Sequence, residues 1–139
     1  MYNSRISGLG MYVPENIVSN DDLSKIMDTS NEWIIERTGI HERRHIKKGD
    51  GNSTVVMGVK AAKIAIERAG IDKDDIDLIL FATLSPDYYF PGSGVLAQEK
   101  LDIPTCPAMD IRNQCSGFIY AISTADQFIK SGMYKNILV

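Results

Sequence analysis

Apolar residues recur along this chain with two different periods, and the switching between them lays out the expected fold. Residues 76–83 (Ile-Asp-Leu-Ile-Leu-Phe-Ala-Thr) form a nearly unbroken apolar run, the pattern of a strand covered on both faces in a parallel sheet. Before it, Val55, Val56, Val59, Ala62, Ile66 and Ala69 recur at helical spacing, opened by Ser53 or Thr54 and closed by Gly70. Asp72 to Asp75 predict a single helical turn, and residues 94–101 a further helix. Ala108-Met109-Asp110-Ile111 reads as a short buried strand. The helix after it carries Phe118, Ile122, Ala125 and Ile129 on one face, widened by Ile119, Ala121 and Phe128. Lys130 and Gly132 are its stop signals, and residues 134–139 begin another buried strand. Strands alternating with helices predict α/β architecture.

The opening of the chain is less regular. Arg5 to Pro14 predicts a strand ending at a proline. Its Gly8 and Gly10 lack the third glycine and the following helix that a dinucleotide fingerprint requires. Asn20 or Asp21 then caps a short helix through Leu23, Ile26 and Met27. Ser30 or Thr29 caps the next, with Glu32 and Glu36 on its early turns and Gly39 at its end.

Composition narrows the class. Apolar residues make up 44% and charged residues 24% of 139, the balance of a soluble globular domain. Fifteen basic against eighteen acidic residues give a net charge of −3, which argues against a general nucleic-acid binder. Five cations nevertheless crowd into a short stripe: Arg37, Arg43, Arg44, Lys47 and Lys48, with His41 and His45 among them. Such a stripe suits phosphates or an acidic carrier protein, and equally a hairpin edge protected by charge. No apolar run approaches the ~20 residues that span a membrane, and no signal-peptide pattern opens the chain. Cys106 and Cys115 show no spacing that suggests zinc or a disulfide framework. A cytoplasmic protein without bound metal is expected.

Candidate chemistry concentrates at Cys115. It stands where the strand ending at Ile111 meets the helix beginning near Phe118, with small Ser116 and Gly117 beside it. The first N–H groups of a helix favour thiolate over thiol, and small neighbours leave room for a second reactant. A free cysteine at a junction also fits a space-filling role. Two further stretches invite attention. Trp33 offers a flat apolar face and Arg37 a forked phosphate donor, or else an indole packed on its own helix and a surface ion pair. Residues 84–92 place Tyr88, Tyr89 and Phe90 between two prolines, as a functional or subunit-contact loop does, or as a hydrophobic plug.

These stretches together resemble the 3-oxoacyl-ACP synthase III family of thiolase-fold condensing enzymes. The resemblance rests on D-x-x-x-x-C-S-G-F around Cys115, on Asp28-Thr29-Ser30 followed by E-W-I-I-E-R-T-G-I-H-E-R, and on the opening I-S-G-L-G-M-Y-V-P. It covers essentially all of the chain. It implies the N-terminal half of a duplicated, layered α/β/α/β/α thiolase-like fold, residues 1–139, with a second half of similar size bringing a His and an Asn that this sequence does not contain.

The chemistry implied follows from the family. Cys115 takes an acyl group from acyl-coenzyme A; malonyl-ACP then decarboxylates and the carbanion attacks the thioester, giving 3-oxoacyl-ACP. Thr29, Trp33 and Arg37 fall at substrate-binding positions, with Trp33 and Arg37 at the mouth of the coenzyme A tunnel. Phe90 lines the acyl pocket of the partner in a homodimer. No cofactor is implied beyond coenzyme A thioester as substrate. Arg112-Asn113-Gln114 departs from the small residues many members carry before the cysteine, which leaves the acyl primer open. A relative with a different acceptor is the second enzyme reading. A non-catalytic dimerisation half is the alternative from another class.

Overall fold

Side-chain caps shape the first stretch of the computed structural model, which describes residues 2–104 and 106–139. Val13–Asn52 is a compact unit of its own. It runs through β1 (Ile17–Ser19), α1 (Asn20–Ser24), α2 (Asn31–Thr38) and β2 (Glu42–Arg44), with β1 and β2 antiparallel. The cap of α1 is Ser19, one residue before the expected position. Its hydroxyl accepts from the Asp22 N–H while the Asp22 carboxylate accepts from the Ser19 N–H, a reciprocal box that Asn20 or Asp21 does not make. The helix stops before Ile26 and Met27, which are exposed. Ser30 caps α2 by accepting from the Trp33 N–H, and Gly39 closes it in the left-handed region.

Asn20 organises this unit from within. It is 1% exposed, donates to Asn31 Oδ1 and the Ile40 carbonyl, and accepts from Arg43 Nη2 at 2.7 Å. Arg43 also donates to the Val18 carbonyl, and Arg44 to that of Glu15. Two cations of the basic stripe therefore hold the hairpin together.

The second unit joins the residues up to Tyr12 with Ser53–Val139. It contains α3 (Thr54–Ala69), a single 3-10 turn at Lys73–Asp75, β3 (Leu78–Ala82), α4 (Ser93–Leu101), β4 (Ala108–Ile111), α5 (Gly117–Ser131) and β5 (Ile137–Leu138). The sheet order is β4-β3-β5 and every pairing is parallel, with Ile79 opposite Ala108 and Leu78 opposite Ile137. Alternate side chains of β3 point to opposite faces. Ile79 packs with Val55, Val59, Ala97 and Leu101 of α3 and α4, with Phe81 beside them. Leu78 and Leu80 pack with Ala121 and Ala125 of α5. The central strand is thus dry on both sides, as its unbroken apolar run required.

Two expectations change here. Residues 5–14 form no strand, because their nearest neighbour is a helix and not a strand edge. Gly8 and Gly10 press against α3 so closely that an added Cβ would lie 2.1 Å from the Ala65 carbonyl oxygen and 1.9 Å from that of Ala61. The buried line of α5 is Gly117, Ala121 and Ala125, whereas Phe118 and Ile119 are 49% and 60% exposed. Phe118, Ile122 and Ile129 instead border an apolar groove of about 910 Å³, whose other walls include residues 4–10, α3 and the end of β5.

Candidate functional site

Cys115 follows β4 by four residues and stands two residues before α5, in an exposed turn. Both cysteines are free thiols, but their settings differ. Cys106 is partly buried among the residues packed on α3 and α4, and desolvation, helped by the Asp77 carboxylate, pushes its thiol up. Cys115 is solvent-facing. The Gly117 N–H donates to the Gln114 carbonyl and the Tyr120 N–H to that of Ser116, so the first turn of α5 begins directly behind the thiol. Ser116 at the N-cap makes no side-chain cap. Gly117 is buried, and a Cβ there would meet Asn113 and Ala82 at ordinary contact distance.

A carboxylate on β4 ties this turn to the aromatic loop. Asp110 accepts from the Ser93 and Gly94 N–H groups at 2.7 Å each, closing the N-terminus of α4. Gly92 and Gly94 make that approach possible, since an added Cβ would lie 3.0 Å and 3.2 Å from Asp110 Oδ1. A second carboxylate secures the front of the loop. Asp87 accepts from Ser53 Oγ at 2.6 Å and from the Thr54 and Val55 N–H groups at the start of α3. Desolvation pushes its pKa up, but the hydrogen bonds from Ser53, Val55 and Thr54 outweigh that and hold the carboxyl below its ordinary range. Between these anchors Tyr88, Tyr89 and Phe90 are 63%, 84% and 91% exposed.

Thr29, Trp33 and Arg37 belong to the other unit and are described within it. Trp33 is 56% exposed, and the Arg37 guanidinium carbon lies 5.9 Å from the centre of its ring, one helical turn on. Arg37 has no ion pair among the described residues. An exposed indole beside an unpaired guanidinium is able to stack a planar group and meet an anion. The Thr29 hydroxyl is buried without a hydrogen-bond partner, an uncommon condition for a polar atom.

Sequence reasoning missed Asp87, Asp110 and the pairing of Arg112 with Tyr89. A carboxylate immediately before three consecutive aromatics was the available signal for Asp87. Asp110 had none, because its partners are backbone groups of another element. No cluster of three His, Cys, Asp or Glu able to hold a metal occurs among the described residues, and no helix among them is long and apolar enough to cross a membrane.

Comparison with known proteins gives one consistent answer. Residues 109–139, from β4 through Cys115 to β5, match the family described as 3-Oxoacyl-[acyl-carrier-protein (ACP)] synthase III. The chain is 55% identical over 137 residues to Beta-ketoacyl-[acyl-carrier-protein] synthase III 1 of Vibrio vulnificus, covering 98% of this chain and 42% of that protein. It is 48% identical to the synthase III of Ehrlichia canis over 100% of this chain and 43% of that protein. Among solved structures, the 3-oxoacyl-[acyl-carrier-protein] synthase III of Aquifex aeolicus superposes with a TM-score of 0.91 at 47% identity, covering 96% of this chain and 42% of that one. The priming beta-ketosynthase of the R1128 polyketide pathway gives a TM-score of 0.91 at 34% identity, covering 96% and 40%. The chain thus spans about 42% of the length of the first of these relatives. The thiolase-like α/β fold expected from the sequence is borne out.

Proposed function

From the premise that its sequence and fold are those of the 3-oxoacyl-ACP synthase III family, we propose that this chain is the nucleophile-bearing half of an acyl-transferring condensing enzyme. The observation that carries the reading is Cys115: an exposed free thiol in the turn between β4 and a helix whose N-terminus no side chain caps.

In this reading the Cys115 thiolate attacks the carbonyl carbon of acyl-coenzyme A. The carbon–sulfur bond to coenzyme A breaks, coenzyme A leaves as a thiol after taking a proton, and the acyl group remains on Cys115 as a thioester. The Cys115 N–H faces the developing oxyanion, a kind of stabilisation often worth several kcal/mol. Malonyl-ACP then loses carbon dioxide, and its carbanion displaces Cys115 from the acyl carbon to give 3-oxoacyl-ACP. The His and Asn that the resemblance assigns to decarboxylation come from residues outside these 139. Trp33 and Arg37 bind the nucleotide end of coenzyme A by stacking and charge, and Thr29 lends its unpartnered hydroxyl to the same ligand. Phe90 contacts the acyl chain held by a second copy in a homodimer. The location is cytoplasmic.

A specific likeness favours a second acceptor as well. The priming ketosynthase of a polyketide pathway matches this fold as well as the Aquifex enzyme does, and Arg112-Asn113-Gln114 precedes Cys115 in place of smaller residues. The acceptor is therefore to be tested and not assumed.

The experiment uses the longest coding sequence that carries these residues. Incubation with acetyl-coenzyme A is expected to add one acetyl group on Cys115, seen by intact mass and peptide mapping. Malonyl-ACP is then expected to discharge it. Trp33→Ala and Arg37→Ala should raise KM for the thioester with kcat nearly unchanged, because they hold the distant nucleotide. Acylation elsewhere, or none, refutes the reading.

A further inference from the structure

Arg112 stands three residues before Cys115 and reaches across to the aromatic loop. Its guanidinium carbon lies 4.9 Å from the centre of the Tyr89 ring, and its Nη2 donates to the Tyr89 carbonyl at 3.3 Å. Neither residue is forced there by burial: Arg112 is exposed, and Tyr89 is 84% exposed. Two solvent-facing groups that meet at both a ring and a carbonyl form a specific pairing.

Its position gives it a consequence. The loop is fixed in front where Asp87 accepts from the start of α3, and behind where Asp110 of β4 accepts from the start of α4. Residues 88–91 lie between those anchors. Among the described residues, the hydrogen bond from Arg112 is the one that reaches them. Phe90 is the next residue after the one gripped, and is 91% exposed. The grip therefore joins the turn that carries Cys115 to the segment that presents Phe90.

We propose that Arg112 is a specificity-determining positioning residue, which fixes Phe90 through Tyr89 and so sets which acyl chains the Cys115 of a second copy accepts in the homodimer proposed above. The inference rests on the acylation of Cys115 proposed above. It concerns selection among chains and not the chemistry itself, because Arg112 touches no reacting atom.

The test compares acylation of Cys115 by acetyl- and hexanoyl-coenzyme A, read as the ratio of their kcat/KM values, in the longest coding sequence that carries these residues. Arg112→Ala and Tyr89→Ala should each change that ratio in the same direction by ~2–5-fold, the range for an exposed cation–π pair. The double variant should change it no further than either alone. Tyr89→Phe, which keeps ring and carbonyl, should leave it unchanged. Arg112→Lys keeps the charge without the fork and should fall between, which also covers a failure of Arg112→Ala to fold. Equal losses for both thioesters, or additive shifts in the double variant, would overturn the assignment in a protein whose Cys115 is acylated. A wild-type protein that does not acylate Cys115 overturns the parent reading, and this one with it.

Discussion

Helix N-termini in this chain are treated in two ways. Ser19, Ser30 and Ser53 cap α1, α2 and α3, and Asp87 adds a carboxylate to α3. The Gly92 cap of α4 has no side chain, so Asp110 supplies one from a neighbouring strand. The N-terminus of α5 receives none among the described residues, although Ser116 stands at the capping position. Unsatisfied N–H groups at a helix start carry partial positive charge and attract whatever anion is near. Filled at α3 and α4, that charge fixes loops. Open at α5, beside Cys115, it remains to act on a thiolate or an oxyanion. The contrast separates elements that hold the scaffold from the one proposed to perform chemistry.

The largest expected effect breaks the open side of this contrast. Cys115→Ser keeps the turn but replaces the proposed nucleophile with a far less acidic hydroxyl. Acyl-enzyme formation should fall by on the order of 10³-fold or more, as when other covalent nucleophiles are removed. The unfolding midpoint should stay close to wild type, since Cys115 is exposed. Burst-phase kinetics with acetyl-coenzyme A and a urea melt measure the two quantities. An undiminished burst would end the assignment.

Asp110→Ala tests the filled side. It leaves two backbone N–H groups at the start of α4 without their charged acceptor and should cost roughly 2–3 kcal/mol of stability. The lower midpoint should appear in urea with little change in the slope of the transition.

How far the sequence revealed this arrangement depends on the range of the interaction. Leu78, Ile79 and Leu80 announced a central parallel strand, because burial on both faces leaves no polar position in the run. Gly39, Gly70 and Gly132 marked helix ends, because capping is decided within a few residues. The setting of Cys115 was legible for the same reason, a cysteine beside small residues at a strand–helix junction. Residues 5–14 were misread because a strand exists only by virtue of its neighbour, and Gly8 and Gly10 face the backbone of α3. Asp110 was invisible because its partners lie 16 and 17 residues away and are backbone groups without a sequence signature. Arg112 was noticed only as a departure from small residues; its partner Tyr89 lies 23 residues off.

A third prediction compares the two thiols directly. Limiting iodoacetamide should label Cys115 in clear preference to Cys106, because the thiolate is the attacking species and the reagent must reach it. Burial raises the Cys106 thiol and also shields it. Peptide mapping of the adduct decides it, and preferential labelling of Cys106 would reverse the assignment of the reactive cysteine.

The smallest effect is the most diagnostic of the filled helix ends, because it changes with pH. Asp87 is held below its ordinary range in the folded chain, while in the unfolded chain it titrates near ~3.9. Between those two values the unfolded state binds the extra proton, so stability rises with pH there. The contribution of Asp87 is therefore complete above the unfolded value and disappears as pH falls through the folded one. Asp87→Asn keeps the size of the side chain but removes the charge, and should cost about 1 kcal/mol at neutral pH, the usual worth of a helix cap. The difference in unfolding free energy between wild type and Asp87→Asn should stay flat from pH 7 to 5 and shrink below pH 4. Urea melts at closely spaced pH values read it directly. A difference that grew on acidification would show that the carboxylate opposes folding, and that the hydrogen bonds from Ser53, Thr54 and Val55 do not outweigh its desolvation.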